Sequence, residues 1–79
     1  MSEHLTPSAL ASAEVRAIRE KKQIGVGKLA EQLGRERNTV SRKLNGKSEL
    51  SLNEFFEMTD ALGVKASDVL AAIERDHAA

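Results

Sequence analysis

Residues 26–47, VGKLAEQLGRERNTVSRKLNGK, set the terms for the whole chain. They read as two short helices joined by a tight turn. In the first, over about 26–33, Leu29, Ala30 and Leu33 share one face. Gly34 follows directly, where a positive φ is often required and glycine adopts it cheaply. In the second, from 36 or 37 to 44, only Val40 and Leu44 form a buried pair. Arg37, Asn38, Thr39, Ser41, Arg42 and Lys43 are all polar, and Asn45-Gly46 ends the run. A helix with so thin an apolar stripe packs weakly and displays most of its surface. The segments on either side therefore read as packing that holds this pair in shape.

Those segments carry the same helical spacing. Thr6-Pro7 is a start signal, because Thr can cap and Pro suits the first helical position. From there to residue 22, Leu10, Ala11, Val15 and Ile18 recur three or four residues apart. Ile24, in the connector 23–25, is expected to plug the core. Ser51-Leu52-Asn53-Glu54 is a capping box opening a helix over 52–62. Phe55, Met58, Ala61 and Leu62 form its inner stripe, with Leu52 and Phe56 flanking. One Phe of the adjacent pair left at the surface would mark an interface. Residues 47–50 read as a loop, and Gly63 stops the fourth helix before a second plug, Val64. A fifth helix over 66–76 carries Val69, Leu70, Ala72 and Ile73. No strand-like alternation occurs. The expectation is an all-α domain of five helices over residues 7–76, between a flexible end (1–6) and a short tail (77–79).

Seventy-nine residues make one small domain that buries only about 60–65% of its unfolded surface. There is no Cys, and the two His lie at opposite ends, which disfavours a metal site or a His-based catalytic pair. No nucleophile–base pair or phosphate loop is present, so an enzyme is not expected, nor any cofactor. Glu54 and Glu57 share a helix side loosely and are expected to be solvated. No apolar run is long enough to cross a bilayer, and residues 1–10 lack the pattern of a signal peptide. A soluble cytoplasmic protein is expected.

Formal net charge is zero, but its distribution is uneven. Residues 16–47 hold ten basic and three acidic residues, a local balance of +7, and the rest of the chain balances this at −7. The Debye length is about 8 Å at physiological salt, so a polyanion on the basic half would be largely screened from the acidic half. Such asymmetry points to a nucleic-acid surface.

Leu29-Ala30-Glu31-Gln32-Leu33-Gly34, Thr39-Val40-Ser41-Arg42 and Asn45-Gly46-Lys47 resemble the helix-turn-helix core of the lambda-repressor-like (Cro/C1, XRE) DNA-binding family. Ala61-Leu62-Gly63-Val64 and Val69-Leu70 resemble that family's fourth and fifth helices. The likeness spans about residues 15–73. Three positions depart from it. Val26 stands where a polar, phosphate-touching residue is common, Glu36 where a Ser or Thr cap is usual, and Lys43 where an aliphatic core residue is common. Leu44 then takes over the core role, which implies a slight rotation of the third helix.

The resemblance implies a double-stranded DNA partner, with the second helix crossing the backbone and the third in the major groove. Arg can bond guanine O6 and N7, and Asn can bond adenine N6 and N7. Arg37, Asn38, Ser41 and Arg42 are the base-contact candidates on that reading; for the arginines, base and phosphate contact are equally open. Lys28, Arg35, Lys43, Asn45 and Lys47 are the phosphate candidates. The resemblance further implies a transcriptional regulator, of the kind of a phage or prophage repressor with no second domain. A homodimer through Val69, Ala72 and Ile73 of the fifth helix and a monomer are both open. The alternative is an antitoxin-like protein-interaction module that binds a partner through the fifth helix or the acidic half.

Overall fold

The computed structural model describes residues 6–77. Residues 1–5 of the flexible end expected over 1–6, and residues 78–79 of the expected tail, lie outside the described residues, and Thr6 is the N-cap of α1. Five helices follow in order: α1 (Pro7–Lys21), α2 (Val26–Leu33), α3 (Arg37–Leu44), α4 (Leu52–Leu62) and α5 (Ala66–His77). Among the described residues there is no strand, and the domain is all-α as the periodicity predicts. α5 runs one residue further than expected, into the stretch assigned to the tail.

The helix ends explain these boundaries. Thr6 Oγ1 accepts from the Ala9 N–H at 3.0 Å, with Pro7 in the first turn. Gly34 closes α2 at φ 67°, and its neighbour's N–H reaches back from Arg35 to the Ala30 carbonyl at 3.0 Å. α1 ends in the same geometry without a glycine: Gln23 takes φ 59°, and the Ile24 N–H donates to the Arg19 carbonyl at 3.0 Å. At α4 the capping box forms in full. The Glu54 N–H donates to Ser51 Oγ at 3.1 Å, and the Ser51 N–H donates to Glu54 Oε1 at 2.8 Å.

The core gathers Val15 from α1, Leu29 and Ala30 from α2, and Val40 and Leu44 from α3. Phe55, Met58 and Leu62 of α4 and Val69 of α5 complete it. Ile24 and Val64, the two expected plugs, are partly buried against it. Three details differ from the sequence reading. On α1 the fully buried positions are Ala11, Ser12 and Val15, while Leu10 is only half-buried. Leu50, read as loop, is a core residue. Its N–H donates to Ser8 Oγ at 2.7 Å, and the Ser8 hydroxyl donates to its carbonyl at 3.3 Å. Val69 is buried and Ile73 packs against the core, because α5 lies across both α1 and α4. Two of the three residues named for a dimer surface on α5 therefore pack within the domain, and the large apolar side chain that α5 leaves outside is Leu70.

Candidate nucleic-acid interface

α2 and α3 are each eight residues long and are joined by Gly34, Arg35 and Glu36. Val40 and Leu44, one turn apart, are almost fully buried and hold α3 to the body. This is the thin stripe predicted from sequence, with Leu44 in the core and Lys43 half-buried beside it. Arg37 and Asn38 lie in the exposed first turn, with no side-chain hydrogen bond or ion pair among the described residues. Arg42 is exposed on the next turn, where its Nε donates to Ser48 Oγ at 3.4 Å. Ser41 differs from these three. It is half-buried, and its Oγ accepts from Asn45 Nδ2 at 3.3 Å. Asn45 Oδ1 in turn accepts from Arg16 Nη1 at 3.2 Å, and the same nitrogen reaches the Leu44 carbonyl at 3.5 Å. A cation at the negative end of α3 is favourably placed. Ser41 and Asn45 thus already have intramolecular partners.

The phosphate candidates divide in the same way. Lys28 on α2 and Lys47 after α3 are exposed and have no carboxylate partner among the described residues. Arg35 and Lys43 turn to α4 instead. Arg35 Nη2 lies 2.9 Å from Glu57 Oε1, and its Nη1 lies 3.6 Å from Glu54 Oε2. Lys43 Nζ lies 2.9 Å from Glu54 Oε2 and donates to the Glu49 carbonyl at 3.1 Å. Each cation already meets a carboxylate, so a phosphate contact by either would share or replace that pair.

The expectation that Glu54 and Glu57 are solvated holds only for Glu57. The Glu54 side chain is 12% exposed and lies between α3 and α4. Burial works against its charge, but the Ser51 N–H and the Lys43 ammonium outweigh that and hold the carboxyl below its ordinary value. The capping box identified Glu54 by its local role alone. Its second role depends on which side chains the fold brings beside α4, and the one available hint was a lysine at a position flanking the core. Arg16 was missed for the same reason: its partners lie 28 and 29 residues away.

Comparison with protein-family models, with curated proteins and with solved structures finds no match for this chain. Among the described residues, no helix is long and apolar enough to cross a membrane.

Proposed function

We propose that the chain is a sequence-specific double-stranded DNA-binding regulator, a repressor of the phage or prophage kind, with α3 in the major groove and α2 crossing the backbone. One observation carries the reading. The apolar hold on α3 is Val40 and Leu44, and the helix turns Arg37, Asn38 and Arg42 to solvent, with Lys28 and Lys47 free of carboxylate partners among the described residues on the segments before and after it. Bidentate donors on an exposed helix suit base edges, and isolated lysines suit phosphates. Ser41 and Asn45 would contact DNA only by giving up, or sharing, their present hydrogen bonds.

The test is selection of sites from random duplexes, followed by titration in rising salt. With Lys28, Arg37, Arg42 and Lys47 each meeting a phosphate or the groove, the slope of log K against log salt is near −3.6. Affinity then falls by roughly 150-fold between 50 and 200 mM salt. A flat salt response would remove the reading. Arg42→Ala is expected to relax sequence preference, whereas Lys47→Ala weakens all sequences alike.

A second reading, a module that binds another protein through its acidic half, has one feature in its favour. Phe56 is 48% exposed beside an open groove lined by Val64, Ala66 and Ser67. A tight stoichiometric complex with a protein partner, and no selected duplex, would favour it.

A further inference from the structure

Glu54 belongs to α4, outside the exposed surface of α3, yet both flanks of α3 are tied to it. Arg35, two residues ahead of the helix, approaches Glu54 Oε2 at 3.6 Å. Lys43, next to the last helical residue, lies 2.9 Å from the same oxygen. Eight residues of α-helix span about 12 Å, so a single carboxylate grips the element near each end. Glu54 is itself fixed, because the Ser51 N–H donates to its Oε1 at 2.8 Å.

The apolar hold on α3 is of a different kind. Val40 and Leu44 lie on one line along the helix. A stripe one side chain wide resists lifting of the helix from the core but opposes rocking about that line only weakly. Ion pairs to one side of the stripe supply the missing restraint. Lys43 is well placed for this, since its side chain is 20% exposed and its ammonium also bonds the Glu49 carbonyl.

We propose that Glu54 is a positioning residue for the α3 surface: by holding Lys43 and Arg35 it sets the rotation at which Arg37, Asn38 and Arg42 face outward, and it withholds two cations from an approaching polyanion. The positioning is a property of the free protein. Its effect on discrimination rests on the DNA-binding reading above. A helix free to rock meets phosphates as readily as before but presents its base-reading side chains less accurately. A released Lys43 adds a sequence-independent contact. Glu54 therefore gives up non-specific affinity and gains selectivity.

Glu54→Gln separates the charge from the cap, because Gln also serves at the third position of a capping box. Glu57→Gln is the control, removing only the exposed partner of Arg35. In the free protein, amide hydrogen exchange of E54Q is expected to be about tenfold faster at Val40 to Leu44, with Val15 and Val69 unchanged and with no change at α3 in E57Q. On duplexes, E54Q is expected to steepen the salt slope by about 0.9, the contribution of one released lysine. Its preference for the selected duplex over a random one is expected to fall about tenfold. Exchange at α3 equal to that of the wild type, or faster by the same factor in every helix, overturns the positioning role whatever the DNA result. Faster exchange confined to α3, in a protein that binds no duplex, upholds the positioning and overturns the DNA-binding reading. Faster exchange together with duplex binding of unchanged slope and preference overturns the link to selectivity.

Discussion

Gln23 occupies a backbone conformation that the chain elsewhere gives to glycine. It is the non-glycine residue with positive φ among the described residues, at 59°, and it closes α1 as Gly34 and Gly63 close α2 and α4. A side chain in the left-handed region costs roughly 1–2 kcal/mol, while glycine costs extra chain entropy on folding. The balance makes Gln23→Gly stabilising by about 0.5–1 kcal/mol, read as a higher urea midpoint at unchanged slope. A lowered midpoint would show that the Gln side chain makes up the difference. Glu54 supplies a second prediction at this scale. It is faced by Lys43 and Ser51 directly, by Arg35 at 3.6 Å, and by Glu57 through Arg35. Its carboxyl is held below its ordinary value near 4.5, so its contribution is fully present above that pH. The contribution is lost as pH falls through the lowered folded value. The acid limb of the stability curve below about pH 4.5 is therefore expected to be shallower in Glu54→Gln than in the wild type. Parallel limbs would place the acid sensitivity elsewhere.

At the scale of elements, α3 is held by a narrow apolar stripe. Its apolar hold is Val40 and Leu44, and the remainder of its surface is polar. Leu44→Ala is expected to cost about 2–5 kcal/mol, the range for truncating a buried leucine. A domain of this length has a total stability of roughly 4–12 kcal/mol, so the variant is expected to lose a large share of it and to melt well below the wild type. Circular dichroism melting checks this, and a loss below about 1 kcal/mol would mean that α3 refills the space. Helix order and limits were legible because the stops are local: Gly34, Gly63, the capping box and Thr6-Pro7 act within one or two turns. Leu50 was not legible, since a lone apolar residue in a loop has no period to betray it. Neither were the partners of Arg35, Lys43 and Arg16, which come from other helices and are fixed only when those helices cross. The exposure of Arg37, Asn38 and Arg42 was legible, because the thin apolar stripe of α3 leaves those positions outward. The pairing of Arg35 and Lys43 with carboxylates was not legible, because a sequence total does not say which charges are already matched.

For the whole molecule, the open question between monomer and dimer turns on where α5 spends its apolar residues. Val69 is buried, Ile73 packs on the core and Ala72 is half-buried, because α5 covers α1 and α4. Only Leu70, 41% exposed, remains as a large apolar side chain on its outer side. A stable interface needs about 800 Å² from each partner, with an apolar centre that one leucine does not provide. The charges oppose self-association through this helix as well. α5 carries Asp68, Glu74 and Asp76 against Arg75, and the Arg75 guanidinium is already 3.5 Å from Asp76. Two copies meeting through α5 would bring like charges together in the absence of a compensating core. Sedimentation equilibrium at about 0.1 mM protein and physiological salt is therefore expected to return the 8.6 kDa monomer. On the DNA-binding reading, the same argument sets the form of the selected site. A monomer with one α3 reads one half-site, so the selected duplexes should share a single asymmetric motif. A palindrome with half-sites about 34–36 Å apart, centre to centre, would instead require a two-fold dimer and overturn the assignment of α5 to internal packing alone.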